Sequence, residues 1–313
     1  MARNDRDHGG GLDGAMQRFG GSRETWVDLS TGINPIAYEI GGFTGYDWTT
    51  LPDRQAENAL IAAARRFWQV PEGADVLAVP GCSVAIAQIP TLAAAGTVDI
   101  ATPTYNEHAA AFAYHGWSVT DDANAQARVI VNPNNPTGHF PAPPVPTDLT
   151  IIDESFCDIA PANSMINLAN TPRHLILKGL GKFWGLAGLR LGFVIGDPAL
   201  VNGLRNRLGP WPVSGPALRI GAGALNDTRW AKATRDRLAA DAIRLDRIML
   251  STIGANPMGE TTLFRTYEVD DATALHNRLA SAHIWTRVFP YSDTWIRFGL
   301  PAPHQWEQLE QAL

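Results

Sequence analysis

The sequence predicts an α/β fold in which helices sandwich a mostly parallel sheet and a smaller α/β unit follows. Three observations predict it. Between residues 53 and 197, short runs rich in Val, Ile and Leu alternate with segments of helical periodicity, the pattern of parallel strands joined by crossover helices. After Asp197-Pro198 this alternation gives way to successive helices, and then to a second, shorter set of strand and helix patterns. The 313 residues, 45% hydrophobic and 18% charged, are enough to bury a large core.

Residues 53–68 read as a helix, because Ala56, Ala59, Leu60, Ala63 and Phe67 recur at three- and four-residue steps behind the Pro52-Asp53 start signal. DVLAVPG is a short apolar run ending in a turn. SVAIAQIPTLAAAG is helical and bends or ends near Pro90, which lacks a backbone donor. VDIATPT, a helical EHAAAFAYHG, and the strand candidates WSVTD, ARVIVNP, LTIIDES, HLILKGL and LGFVIG complete the series. From 198 to about 252 the pattern is helical, broken by LGPWPVSGPA and ending in a long helix around RLAADAIRLDRIML. TLFRTYEV, a helix at DATALHNRLASA, the strands IWTRVF and TWIRFGL and a last helix form the smaller unit.

Several function classes are excluded. A net charge of −6 leaves no basic footprint for nucleic acid or anionic lipid. The two cysteines, Cys82 and Cys157, make neither a disulfide framework nor a zinc cluster. The polar, glycine-rich MARNDRDHGGG lacks the apolar core of a signal peptide, and no window approaches 18 apolar residues. A cytoplasmic protein is expected.

Ligands of an open parallel sheet bind at the carboxyl ends of its strands. There the sequence offers Gly81-Cys82-Ser83 after DVLAV, Tyr105 after VDIA, Asn132 to Gly138 after ARVIV, Asp153 at the end of LTII, and Lys178 and Lys182 after HLIL. Singly, each has an ordinary reading: a tight turn, a core aromatic, a proline-fixed turn, an N-cap, a lysine reaching to solvent. Together they supply an anion nest, an aromatic ring, a fixed amide, a carboxylate and an amine. That set matches pyridoxal phosphate, which needs an amine for its aldehyde, a carboxylate for its ring nitrogen, a donor to its phenolate, a stacking ring and a phosphate site.

NPNNPTG, DESF and GKFWGLAGLRLGF resemble the fold-type I pyridoxal-phosphate enzymes of the aminotransferase superfamily. That family's reactive lysine lies eight residues before a phosphate-binding arginine, a spacing held by Lys182 and Arg190 and not by Lys178. The resemblance implies Lys182 as the catalytic amine and leaves Lys178 a structural or local-charge role. It also implies Asn135 at the phenolic oxygen, Asp153 at the pyridinium nitrogen, Tyr105 stacked on the ring, and Gly81, Cys82, Ser83 and Arg190 around the phosphate. Residues 44–225 would form the large cofactor-binding domain, and 1–43 with 226–313 the small one.

A narrower set of motifs, DHGGG, DLSTGINP, PTYNEH, DESF and GPWPVSGPA, resembles the threonine-phosphate decarboxylases of cobalamin biosynthesis. Related histidinol-phosphate aminotransferases usually carry tyrosine where Phe156 stands. The resemblance implies decarboxylation of L-threonine O-3-phosphate, with His8, Asn34, Arg287 and Arg297 holding its carboxylate and phosphate. Arginine forks suit both groups. It further implies a homodimer, with LGPWPVSGPA at the interface. The rival activities are a histidinol-phosphate-type aminotransferase and a non-catalytic sensory module that binds the same cofactor. Gly179 and Gly181 replace the family's serine or threonine before the lysine, and Leu51-Pro52 replaces a phosphate-reaching tyrosine-proline pair. Arg190 and the Gly81 to Ser83 nest are therefore expected to carry most of the phosphate binding.

Overall fold

The computed structural model describes residues 8–313, which group into two compact units. The larger comprises residues 37–135 and 140–234. The smaller comprises the described residues up to 36, 136–139 and 235–313. In chain order the helices are α1 (Leu12–Phe19), α2 (Gly45–Thr49), α3 (Arg54–Trp68), α4 (Cys82–Gln88), α5 (Asn106–Tyr114), α6 (Pro198–Leu208), α7 (Gly215–Asn226), α8 (Thr228–Thr252), α9 (Ala272–Ser281) and α10 (Trp306–Ala312). The strands are β1 (Val27–Asp28), β2 (Asp75–Val79), β3 (Thr97–Ile100), β4 (Ser118–Thr120), β5 (Ala127–Val131), β6 (Leu149–Asp153), β7 (His174–Gly179), β8 (Gly192–Gly196), β9 (Phe264–Glu268), β10 (Ile284–Trp285), β11 (Arg287–Phe289) and β12 (Ser292–Gly299).

The larger unit is built on a seven-stranded sheet of order β2-β8-β7-β6-β5-β3-β4. β3 pairs in parallel with β4 and β5, and β5-β6 and β6-β7 are also parallel. β8 alone is reversed, antiparallel to both β7 and β2. The central strands β6 and β8 are buried along their whole length, which is why they read as unbroken apolar runs and not as alternating ones. On one face Val79, Ile86, Ile100, Phe112, Leu177, Val194 and Leu204 form a continuous core between the sheet and α4, α5 and α6.

On the other side α3 and α7 pack against each other. A Cβ at Gly221 of α7 would lie 2.9 Å from Leu60 and 2.5 Å from Leu191, so glycine permits that close approach. α3 starts where the sequence places it: the Asp53 carboxylate accepts the Ala56 N–H at 2.7 Å, and the helix ends at Gln69 in the left-handed conformation. α4 gives way to a 3₁₀ turn, Ile89–Leu92, that contains Pro90. Trp184, fully buried, stacks on Trp230 with ring centroids 5.1 Å apart. Truncating a side chain of this kind costs about 3–5 kcal/mol.

The smaller unit holds a three-stranded antiparallel sheet, β11-β12-β9, and a two-stranded parallel pair, β1-β10. IWTRVF is thus not one strand. It breaks at Thr286, whose buried hydroxyl hydrogen-bonds His276 Nδ1 at 2.8 Å, so that Trp285 serves one sheet and Arg287 the other. No helix is long and apolar enough to cross a membrane among the described residues.

Candidate active site

Because β8 alone is reversed, the carboxyl ends of β2, β3, β5, β6 and β7 share one edge of the large sheet with the amino end of β8. A pocket of about 170 Å³ lies at this edge, lined by Val131, Asp153 and Gly179 at the ends of β5, β6 and β7 and by Gly81, Tyr105 and Leu191 from the segments beside β2, β3 and β8.

One wall is made by the turn after β2. Gly81 has φ +84°, a conformation that suits glycine, and a Cβ there would lie 2.5 Å from Arg190 Nη2. The guanidinium therefore closes directly over the Gly81 backbone. Arg190 is itself in the left-handed region at φ 52°, and its Nη1 donates to the Ala187 carbonyl at 3.2 Å. Such a backbone in a non-glycine residue carries a local conformational cost. Cys82 and Ser83 follow as the first residues of α4 and also line the pocket. The Cys82 thiol donates to the Lys178 carbonyl at 3.0 Å. Burial, reinforced by the Asp153 charge, pushes its pKa up to about 12, so it is a neutral thiol at physiological pH. It rests on two glycines paired across β7 and β8: Cβ atoms at Gly179 and Gly192 would stand 3.2 and 2.8 Å from its sulfur.

The opposite part of the pocket is arranged around Asp153. Its Oδ1 accepts the Ser155 N–H at 2.9 Å and the Ser155 hydroxyl at 2.5 Å, and its Oδ2 lies 2.8 Å from His108 Nε2. Burial alone pushes this carboxyl up. The hydrogen bond and charge of His108 and the two Ser155 bonds outweigh burial, and the pKa falls below the usual range. Asp153 is thus a buried, ionised carboxylate. Tyr105 caps α5 one turn from His108, with rings 6.0 Å apart, and burial followed by the Asp153 charge raises its hydroxyl to about 12. Asn135 also lines the pocket, and its neighbour Asn134 braces the loop: Nδ2 donates to the Pro103 carbonyl at 3.1 Å and Oδ1 accepts from Thr104 at 2.6 Å. Lys182 reaches in from the segment after β7, its Nζ 5.2 Å from the centre of the Phe156 ring.

Lys178 points the other way. It is 1% exposed behind the sheet, 2.5 Å from Glu154 Oε2 and 3.9 Å from Asp158 Oδ1. Burial alone lowers its pKa, but the charges of Glu154 and Asp158 reverse that and raise it. It is a cation fixed in an ionic cluster.

The other sequence-predicted residues belong to the smaller unit. Arg287 and Arg297 stand directly opposite each other in the β11-β12 register. Arg297 is buried, donates Nη2 to the Ser30 carbonyl at 2.6 Å and lies 5.1 Å over the Phe264 ring, while Arg287 lies 5.5 Å over Phe289. Buried Asn34 accepts from Arg237 Nη2 at 2.5 Å and from the Ile36 N–H at 3.0 Å. His8 is exposed at the start of the described chain, and Gly9 packs its backbone on the Ser30 carbonyl, where a Cβ would collide.

The sequence pattern of the family described as aminotransferase class I and II matches residues 120–313. A threonine-phosphate decarboxylase of Sinorhizobium sp. is 39% identical over 94% of this chain and 92% of its own length. The chain belongs to the class I and II aminotransferase family. A threonine-phosphate decarboxylase of Pseudomonas aeruginosa is 35% identical over 98% of this chain and 97% of its own. The fold agrees with a crystal structure of histidinol-phosphate aminotransferase from Sinorhizobium meliloti in complex with pyridoxal-5'-phosphate, at TM-score 0.83 and 19% identity, covering 100% of this chain and 97% of that one.

The cofactor of this member of the class I and II aminotransferase family is pyridoxal 5'-phosphate, and the pocket fits it. An amine, a carboxylate held ionised, an aromatic ring, an amide and a guanidinium closed over a glycine backbone all face one space. His108 and Ser155, the partners that keep Asp153 charged, are absent from the sequence-based site. The signal for His108 is nonetheless present in PTYNEH. A histidine three residues after the strand-end tyrosine, at a helix start, shares that tyrosine's face.

Proposed function

We propose that this protein decarboxylates L-threonine O-3-phosphate, giving CO2 and (R)-1-amino-2-propanol O-2-phosphate for cobalamin biosynthesis. The near-full-length likeness to two threonine-phosphate decarboxylases, at 39% and 35% identity, carries this reading. Phe156, a ring without a hydroxyl in the pocket, agrees with it.

When bound, pyridoxal phosphate supplies an electron sink for the pair released at the substrate Cα. Lys182 contributes the amine that anchors the cofactor aldehyde and afterwards returns a proton to Cα. Asp153, kept ionised by His108 and Ser155, holds the proton on the ring nitrogen. Asn135 would donate to the phenolic oxygen, Tyr105 would stack on the ring, and the Gly81, Cys82 and Ser83 turn with Arg190 would bind the phosphate. Arg297 and Asn34 take the substrate carboxylate, and Arg287 and His8 its phosphate. Two guanidinium groups directly opposite in an antiparallel pair repel each other, which suits a ligand with two anionic groups. The pose they impose decides which Cα bond breaks.

The active protein is a cytoplasmic homodimer in this reading. Tyr46, Trp48, Leu51 and Trp211 are all more than half exposed, and large apolar side chains in such number suit contact with a second copy. Purified, cofactor-loaded protein given threonine phosphate should release CO2 and a product with the mass of aminopropanol phosphate. Transfer to 2-oxoglutarate without CO2 would place it among the aminotransferases. A cofactor spectrum inert to substrate would make it a binding module.

A further inference from the structure

Behind the strand ends that line the pocket lies a second, enclosed set of polar side chains. Glu154 Oε1 accepts from Asn132 Nδ2 at 2.9 Å and from the Met165 N–H at 2.6 Å. Its Oε2 accepts from the Ser164 hydroxyl at 2.5 Å and from Lys178 at 2.5 Å. Four residues on, Asp158 accepts from two indoles: Trp68 Nε1 bonds Oδ1 at 2.8 Å and Trp184 Nε1 bonds Oδ2 at 3.0 Å. Strand alternation explains the placement, since Asp153 faces the pocket and Glu154 the cluster, and Gly179 faces the pocket and Lys178 the cluster.

Trp184 connects the two faces. It follows Lys182 by two residues, is fully buried, and is clamped by the stack on Trp230 and by its own carbonyl, which accepts the Tyr38 N–H at 2.8 Å. The turn it sits in is closed by a Gly185 N–H to Lys182 carbonyl bond of 3.1 Å. A fixed indole therefore sets where the Lys182 backbone can lie. What holds the indole's polar edge is Asp158, whose carboxylate also accepts from the Trp68 indole and lies 3.9 Å from Lys178 Nζ.

We propose that Asp158 is a positioning residue for the reaction, acting through Trp184 to hold the segment that presents Lys182 to the cofactor. It touches neither cofactor nor substrate. The inference rests on Lys182 being the lysine that bears the cofactor.

The test uses the full-length, cofactor-loaded protein with Trp184→Phe, Asp158→Asn and the double variant. Trp184→Phe keeps an aromatic ring but removes both the donor and part of the ring stacked on Trp230, so its effect is read against Asp158→Asn, which leaves the indole whole, and against the double variant. Each single variant is expected to lower kcat for threonine phosphate about tenfold or more. KM should stay within roughly twofold, because substrate binding is not what is lost. The circular dichroism band of the bound cofactor should weaken, and the double variant should be no worse than the poorer single one. A lower Tm with unchanged kcat and unchanged cofactor dichroism, or effects that add in the double variant, would overturn the proposal. Borohydride trapping of the parent separates the two levels. An adduct at Lys182 beside unaffected variants defeats the role of Asp158 alone, whereas an adduct elsewhere defeats both it and the reading on which it rests.

Discussion

His108 and Asp153 form a closed pair, Nε2 to Oδ2 at 2.8 Å, with 2% and 3% of their side chains exposed. The Asp153 pKa is lowered, so its contribution to stability is present above the ordinary aspartate value of about 4 and is lost as pH falls through the depressed folded value. In His108→Leu the burial penalty is left with only Ser155 to oppose it. Urea midpoints measured from about pH 3 to about pH 6 should therefore fall steeply on acidification in the parent and less steeply in the variant. At neutral pH the variant should be less stable by about 3–5 kcal/mol, the usual cost of stranding a buried charge.

Lys178 balances two buried carboxylates. Lys178→Met should destabilise the protein by about 3–5 kcal/mol in urea melts at neutral pH, and adding Glu154→Gln should recover much of the loss. The lysine pKa is raised, so its contribution is complete below the ordinary lysine value of about 10.4 and disappears only as pH climbs through the raised folded value. Parent melts should accordingly show no effect of this group between about pH 6 and pH 9.

The two glycines that precede Lys182 differ sharply in their surroundings. A Cβ at Gly179 would press on Cys82 Sγ at 3.2 Å, whereas one at Gly181 meets nothing nearer than Ala187 Cα at 3.4 Å. Gly181→Ser should be accepted with little change in Tm. Gly179→Ser should cost about 1–3 kcal/mol, and Cys82→Ala should relieve it.

Arg190 combines a guanidinium over Gly81 with a left-handed backbone. Arg190→Ala and Arg190→Gly should both lose cofactor on dialysis faster than the parent, read from residual cofactor absorbance. Without cofactor, the glycine variant should be the more stable of the two by about 1 kcal/mol, because only the backbone distinguishes them.

Much of this was legible in the sequence because the sheet is parallel where it matters. Six strands point the same way, so the residues after each apolar run come together at one edge, and Gly81, Tyr105 and Asp153 could be placed there from position, whereas choosing Asn135 and Lys182 within their segments took the family resemblance. What stayed hidden depends on pairing partners that no local pattern encodes. The reversal of β8 brings Arg190 to the same edge from the other direction. Trp285 and Arg287 lie in one apolar run yet join different sheets, because Thr286 is tied to His276 on a separate helix. His108 escaped because its value comes from a carboxylate 45 residues away.

The lysine enclosed on the back of β7 also guards the folding of that strand. A slip of one residue against β6 would turn its amine towards the cofactor, offering a decoy nucleophile in place of a glycine, and would abandon Glu154 and Asp158 to each other's repulsion in a dry interior. Mispaired chains are thus penalised before any chemistry begins, and it is the alignment of β6 with β7 that keeps this amine out of the pocket.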